Sequence, residues 1–178
     1  MPVTRERAEE LLTSSGLEAH VIDHSRTVAR LACRVAETLR GRGHPVDVAL
    51  VETGALLHDI GRSRSHGIDH CLEGYRILRD EDETIARIAL VHIGAGIDRK
   101  EASTVGLPVR DYLPESLEER VVAFADNLVF GVRVGTPEEA EARFIRELGS
   151  DHTATDRVRR LNAWFLDALG PELPWETA

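Results

Sequence analysis

Three of the chain's eight histidines lie in one stretch, ALLHDIGRSRSHGIDH, which covers residues 55–70. An apolar run ends in His58 and Asp59, a glycine follows, and a loop rich in arginine and serine leads to His66 and His70. Imidazole nitrogens beside a carboxylate oxygen form a donor set that divalent transition metals prefer. The stretch therefore predicts metal chemistry at the end of a helix.

Other ionisable residues fall where apolar side chains are expected. His24 and His92 each lie on a stripe of apolar residues at spacings of three and four. Asp126 lies within the apolar run VVAFADNLVF, where a carboxylate without a partner would be costly to bury. We predict that these groups converge on one or two metal ions. The predicted ligands are His24, His58, Asp59, His70, His92 and Asp126.

The donor set limits both the metal and the reaction. Imidazole and carboxylate without thiolate suit Fe, Mn, Co, Ni or Zn, and they exclude an all-oxygen calcium site and a four-cysteine zinc site. A metal with an open coordination position lowers the pKa of its bound water toward about 7, which favours attack on phosphorus at neutral pH. The two oxygens of Asp59 could bridge two such ions.

Basic residues beyond the metal ligands are candidates for substrate binding. Arg62 and His66 follow the predicted metal helix and could hold phosphate oxygens, although a solvated basic loop would have the same composition. We predict that Asp59, Arg62 and His66 take part in catalysis. Lys100 and Arg133 are predicted as further electrostatic contacts to the substrate.

The elements that must position these residues are helical almost throughout. The apolar spacing predicts helices over about 21–39, 47–61, 68–80 and 82–92, then from Pro114, from Thr136 and over about 154–169. Asp47 is expected as an N-cap, either Asp82 or Glu83 is expected to open the fourth helix, and Thr136 with Glu139 is expected as a capping box. No convincing alternating strand is present. Residues 94–113 are expected to be irregular, with one turn at RKEAS, and a role as a lid is left open.

The amino-acid composition limits the classes of protein to which this chain can belong. Hydrophobic residues make up 42% of the 178 residues and aromatic residues only 4%, so the core must consist of Leu, Val, Ile and Ala. The net charge of −9 disfavours binding to long nucleic acids. Two cysteines provide no disulfide framework, and no apolar run approaches the roughly 20 residues of a membrane helix. We expect a soluble cytoplasmic protein without a membrane partner, and a homodimer is left open.

The order of the predicted ligands resembles that of the HD superfamily of metal-dependent phosphohydrolases, for which HDIG is the hallmark string. HSRTVARLA around His24 is similar to the family's first-ligand helix, and FADNL around Asp126 is similar to its closing aspartate motif. HCLEGYRIL and IALVHIGAG resemble the two histidine helices of the binuclear branch. The resemblance covers roughly residues 17–131 and is greatest to a small stand-alone archaeal group of HDIG proteins.

This resemblance implies an all-α HD-domain helical bundle in a single domain, 1–178. The metal-site core would occupy about 17–131, and the C-terminal helices, about 136–169, would pack on it. It also implies a hydrolase of phosphate mono- or diesters of a small nucleotide-like substrate. Arg62 stands where the cyclic-di-nucleotide branch usually has lysine, and a single His92 replaces that branch's His-His pair. Cyclic-di-GMP is therefore not implied as the substrate.

Two other functions are compatible with the same scaffold. An HD-type di-iron oxygenase would need a mixed-valent iron pair and oxygen uptake. A noncatalytic nucleotide-binding sensor would use the pocket for binding alone, and the full set of metal ligands argues against it. In a mononuclear site, His70 and His92 would contact substrate phosphate instead of a second ion.

Overall fold

The computed structural model describes residues 2–171 and 173–175. Its helices, in chain order, are α1 (Arg5–Ser14), α2 (Ala19–Gly41), α3 (Val48–Leu57), α4 (His70–Leu78), α5 (Glu83–Val91), α6 (Arg99–Val105), α7 (Leu117–Leu128), α8 (Pro137–Leu148) and α9 (Thr153–Leu169). A 3-10 turn, Ile60–Ser63, follows α3. Strands β1 (Val129–Phe130) and β2 (Arg133–Val134) form a short antiparallel hairpin between α7 and α8. The predicted all-α fold is confirmed, and this hairpin is the strand structure that the sequence patterns did not indicate.

Helix α2 packs along its length against α3 and α7. It can do so because its buried apolar residues recur every three or four positions; they include Val21, Val28, Leu31, Val35 and Leu39. The C-terminal helix α9 packs on the same core, where the rings of Phe124 and Phe165 stack with centroids 4.1 Å apart. Within the described residues, no helix has both the length and the apolar character needed to cross a membrane.

The predicted N-caps are confirmed by hydrogen bonds. The Asp47 carboxylate accepts the Leu50 N–H, and the Asp82 carboxylate accepts the N–H groups of the first turn of α5. Thr136 and Glu139 form the expected capping box, with Pro137 in the first turn of α8. Side chains that satisfy free backbone N–H groups therefore fix where three helices begin.

One helix start was wrong in the sequence prediction. Pro114 does not begin α7, which begins at Leu117. The reason is a second capping box, in which the Ser116 hydroxyl accepts the Glu119 N–H while the Glu119 carboxylate accepts the Ser116 N–H. This reciprocal pair outweighs the general preference of proline for the first helical turn.

The segment 94–113 is more ordered than its sequence indicated. The expected single turn at RKEAS is the seven-residue helix α6, capped by Asp98. The backbones of Ile97 and Tyr112 exchange two hydrogen bonds, of 3.0 and 2.7 Å, which close the segment into a loop around α6. Tyr112 is buried in a small core of its own with Cys71 and Leu90.

Glycines bring the 3-10 turn and α4 into backbone contact. A Cβ on Gly61 would lie 1.9 Å from the His70 carbonyl oxygen and 2.4 Å from the Gly74 nitrogen. A Cβ on Gly74 would in turn lie 3.2 Å from the Ala89 Cβ on α5. The glycine of HDIG is therefore required by close packing. It places the start of α4 directly against the end of the predicted metal helix.

Candidate metal centre

The six predicted ligands come from five elements that meet at one end of the bundle. His24 lies on α2 and Asp126 on α7, whereas the other four lie at helix ends. His58 and Asp59 follow α3, His70 begins α4, and His92 follows α5. The four residues at helix ends are buried, and the side chains of His24 and Asp126 are about one fifth exposed. The structure thus brings together all six residues predicted as ligands.

Each of the four histidines is oriented by a backbone carbonyl. The Nδ1–H groups donate to carbonyl oxygens at 2.7–2.8 Å, and the acceptors are Gly131 for His24, Ala55 for His58, Gly67 for His70 and Ala89 for His92. A carbonyl oxygen only accepts, so Nδ1 carries a proton in each ring, and Nε2, which holds a lone pair when the ring is neutral, faces the centre. This is the arrangement that orients histidines bound to metals.

The inward-facing atoms form overlapping sets of three. His24 and His58 approach Asp126 Oδ1 through Nε2, at 2.9 and 3.4 Å. His70 and His92 approach Asp59 Oδ1 through Nε2, at 3.2 and 3.4 Å. Three groups have ligand atoms within 4.8 Å of one another; they are His24–His58–Asp59, His58–His92–Asp126 and Asp59–His70–His92. His58, Asp59 and His92 each belong to two of these groups, and of the three only the Asp59 carboxylate has two donor oxygens.

The residues of the centre fit a bound cation. His58 Nε2 and Asp59 Oδ1 are buried and have no hydrogen-bond partner among the described residues, although buried polar atoms are normally satisfied. Neutral imidazole lone pairs and carboxylate oxygens are all electron donors, so they cannot satisfy one another without a cation or a proton. The nearby thiol of Cys71 is not part of the set, because its Sγ–H donates to the Ile68 carbonyl at 3.3 Å and burial raises its pKa to about 11.

The pKa shifts of the residues in the centre also favour a bound cation. Burial lowers the pKa of His58, but the carboxylates of Asp59 and Asp126 outweigh it and raise that pKa to about 9. Burial also opposes ionisation of both carboxyls, yet His58 and the other neighbouring histidines hold their pKa values below the usual range. Burial lowers the pKa of His92. The two carboxylates are therefore ionised and attract positive charge into a buried space.

A cleft of about 470 Å³ opens onto these ligands. Arg62 and His66 both line it. The Arg62 Nε donates to Asp59 Oδ2 at 2.7 Å, and His66 is 73% exposed, 3.9 Å from the Glu18 carboxylate. The structure thus places both residues at the cleft, and their parts in catalysis stay predictions.

The structure does not bring Lys100 and Arg133 to this cleft. Lys100 lies on α6 and lines a neighbouring apolar pocket. Arg133 lies on β2 and pairs with Glu139 at 3.1 Å, and its guanidinium lies over the Phe130 ring. Glu139 is fixed by the capping box of α8, so it holds Arg133 in a separate groove.

Helix α8 contributes cleft residues that the sequence analysis missed. Arg143, Phe144 and Glu147 line the cleft, and the Arg143 guanidinium donates to the Asn127 carbonyl at 3.3 Å. The Asn127 side chain itself donates to the Gly94 carbonyl at 2.9 Å. The sequence signal that could have indicated these residues is an arginine next to an aromatic residue, Arg143 and Phe144, on an amphipathic helix. This signal was not sufficient, because it does not show which face of α8 lies against the cleft.

Comparison with known sequences supports the family that the ligand order indicated. The HD domain family model matches residues 21–131. An uncharacterized protein of Methanocaldococcus jannaschii is 46% identical over 145 residues, which cover 80% of this chain and 86% of that protein.

Two further relatives carry the name tRNA (cytidine(56)-2'-O)-methyltransferase. The protein from Picrophilus torridus is 39% identical over 165 residues, and the one from Thermoplasma volcanium is 36% identical over 166 residues. Each match covers 92% of this chain but only 46% and 47% of the methyltransferases. The chain therefore spans about half the length of these two relatives.

Solved structures show the same fold. The HD domain of the L. monocytogenes phosphodiesterase PgpH superposes with a TM-score of 0.51 at 20% identity, covering 91% of this chain and 97% of that domain. The same domain in complex with cyclic-di-AMP gives a TM-score of 0.53 at 19% identity, covering 92% of this chain and 98% of that domain. Because the family model matches residues 21–131, which are more than half of its length, the chain belongs to the HD domain family.

Proposed function

We propose that this protein is a metal-dependent hydrolase of phosphate mono- or diesters of a small nucleotide-like substrate. The observation that carries the proposal is the buried Asp59 carboxylate, which belongs to two of the possible ligand groups and whose Oδ1 has no hydrogen-bond partner in the part of the chain that the structure describes. His24, His58, Asp59, His70, His92 and Asp126 would hold one or two ions of Fe, Mn, Co, Ni or Zn. A bound divalent ion supplies an activated water and neutralises phosphate oxygens.

The protein's own residues would position the substrate. Arg62 Nε holds Asp59 Oδ2, and the other nitrogens of its guanidinium make no further hydrogen bond within the described residues. They are free to donate to phosphate oxygens in the cleft, where a planar guanidinium binds two at once. His66 has a solvent-accessible ring at the same cleft, and we propose that it gives a proton to the leaving oxygen.

The relatives support parts of this proposal. The PgpH domain is described as a phosphodiesterase and binds cyclic-di-AMP, a small phosphodiester. The methyltransferase name belongs to proteins about twice as long as the matched region, so we do not assign methyl transfer to this chain. Location in the cytoplasm, indifference to long nucleic acids and a homodimeric state stay predictions; the two free cysteines favour the first.

The test is metal analysis of anaerobically purified protein, with a hydrolysis screen of nucleotides and cyclic dinucleotides on the same sample. We expect bound Fe, Mn or Co together with release of phosphate or opening of a diester. The double variant His58→Ala/Asp59→Ala should lose metal and turnover together and stay folded, whereas Asp23→Asn, one residue before His24 on exposed α2 surface, should keep both.

The possible outcomes separate the alternatives. Turnover retained by the double variant would contradict the metal mechanism. Oxygen uptake by a mixed-valent iron pair, without hydrolysis, would identify an oxygenase. Nucleotide binding without metal or turnover after every reconstitution would identify a sensor.

A further inference from the structure

A second cavity adjoins the metal cleft. It has a volume of about 430 Å³ and is lined mainly by apolar side chains. The cleft and this cavity, which we call the apolar pocket, have four lining residues in common: Ile68, Ile93, Gly94 and Phe144. A molecule whose phosphate lies in the cleft would therefore find its nearest apolar surface in this pocket.

We propose that the apolar pocket binds the nucleobase of a nucleotide whose phosphate group occupies the metal cleft. This inference rests on the proposed function for the role of the cleft, and it adds the site that selects the organic part of the substrate. The volume lies within the range of about 300–1,000 Å³ that is usual for small-molecule sites.

Phe144 provides an aromatic surface at the boundary of the two cavities. Its ring carbons would lie 3.2 Å from a Cβ on Gly94, so the glycine, at φ +61°, lets the ring rest on the backbone there. Arg143 lines the cleft but not the apolar pocket, and its guanidinium lies 5.3 Å from the centroid of the Phe144 ring. The ring is half-buried and borders the pocket, where a planar base can stack on it.

Polar groups of the pocket match the edge of a heterocycle. His152 Nδ1 accepts the Ala154 N–H at 3.1 Å, so the ring N–H is on Nε2, which can act as a donor. The Thr104 hydroxyl donates to a backbone carbonyl and keeps its capacity to accept. A few donors and acceptors among apolar walls fit a nucleobase. A sugar would need polar partners around its whole surface, and a lipid tail would need none.

Two further features mark the mouth of the pocket. Val105 and Leu148 line it and are each 45% exposed, so a bound base would cover apolar surface that otherwise faces water. Lys100 also lines the pocket, and its ammonium group has no ion-pair partner within the described residues. Lys100, predicted from sequence as a substrate contact, is thus placed beside the pocket and apart from the metal ligands.

The test compares ligands with and without a base. AMP and ribose 5-phosphate are titrated into Mn²⁺-loaded protein by calorimetry, and adenosine is titrated separately. We expect AMP to bind at least tenfold more tightly than ribose 5-phosphate, and adenosine to bind measurably. Leu148→Trp, which fills the mouth from an exposed position, should remove the tenfold difference and leave the affinity for ribose 5-phosphate unchanged.

A matched control lies on the same helix. Ile145→Trp adds the same side chain at a position that is 38% exposed and does not line the pocket, so it should keep the preference for AMP. Phe144→Leu conserves apolar character but removes the stacking surface, and it should reduce the preference even if the tryptophan variant folds poorly. Melting temperatures of all variants establish that they are folded.

Each outcome decides one question. Equal affinity for AMP and ribose 5-phosphate, or a preference that survives both Leu148→Trp and Phe144→Leu, would overturn the base-binding pocket. Hydrolysis could still proceed in that case. Conversely, an intact preference for AMP in a protein that hydrolyses no phosphate ester would overturn the proposed activity and retain the pocket.

Discussion

The Nε2 atoms of His70 and His92 lie 3.2 Å apart, and each ring donates its Nδ1–H to a backbone carbonyl. In the neutral rings both Nε2 atoms offer only lone pairs, so the contact is repulsive unless a positive charge lies nearby. Asp59 Oδ1 lies within 3.4 Å of both. The group of Asp59, His70 and His92 is therefore suited to hold a cation. This position is separate from the one formed by His24 and Asp126.

The His70→Ala variant tests whether that corner holds its own ion. Of the three ligand groups, only Asp59–His70–His92 contains His70. We expect metal content to fall from about two ions per chain to about one, since removing one of three protein ligands leaves too few donors. Mass spectrometry of metals in anaerobically purified protein measures it. His66→Ala should retain the wild-type content, and an unchanged content in His70→Ala would show that His70 binds no ion.

Arg62 is expected to matter for turnover more than for folding. Its Nε–H fixes one oxygen of Asp59 at 2.7 Å, and its other nitrogens, which make no hydrogen bond within the described part of the chain, are at the cleft. Residues that orient metal ligands typically affect activity by about 10- to 100-fold, so we expect Arg62→Gln to lower kcat/KM by that factor. Arg64→Gln, two residues further along the same loop, is the control and should lose less than about threefold. An Arg62→Gln variant with wild-type kcat/KM would exclude the proposed phosphate contact.

Substitution of the HDIG glycine is expected to destabilise the fold. A Cβ at Gly61 would lie 1.9 Å from a backbone oxygen of α4, which no side-chain rotation can relieve. We expect Gly61→Ala to lower the free energy of unfolding by about 3 kcal/mol. A Cβ on Gly41 would meet no neighbouring segment within 4 Å, and Gly41 does not require positive φ, so Gly41→Ala should be neutral or slightly stabilising. Urea unfolding of both variants gives the comparison, and equal stability would refute the steric argument.

Metal binding is expected to release protons. In the metal-free protein the pKa of His58 is raised to about 9, so this ring is protonated at neutral pH and the ion must displace the proton. The affinity should therefore rise by up to about tenfold per pH unit between about pH 6 and pH 9 and level off above it. Calorimetry in buffers of different ionisation enthalpy measures the protons released. An affinity that is independent of pH over this range would contradict the placement of His58 as a ligand.

Much of the fold and the convergence of the six predicted ligands could be predicted because the signals are local. Apolar spacing marks α2, and short-range hydrogen bonds of Asp47, Asp82 and Thr136 mark helix starts. Histidines on apolar faces stand out because burial of an imidazole needs a partner. For α7 two local signals competed, and the Ser116 capping box prevailed over Pro114.

The rest depends on contacts between segments that are distant in the chain. Arg143 reaches the cleft because α8 packs against α7, and no local pattern in α8 indicates that neighbour. Arg133 lies outside the cleft, where it forms an ion pair with Glu139. The position of Glu139 is fixed in turn by the capping box of α8. The orientation of His24 by the Gly131 carbonyl depends on a hairpin of two-residue strands, which is too short to produce an alternating pattern.

The predicted ligands would also determine the electrostatic potential at the mouth of the cleft. The protein has a net charge of −9, and its centre contributes four imidazoles, which add no charge when they bind a metal as neutral donors, but only two carboxylates. Two divalent ions would more than neutralise those carboxylates, so the loaded cleft would be a local region of positive potential on a negatively charged surface. Such a field attracts a compact anion over the last few ångströms, while the surrounding surface repels extended polyanions. If the proposed function holds, the small number of carboxylates among the predicted ligands would make the cleft selective for small phosphorylated molecules.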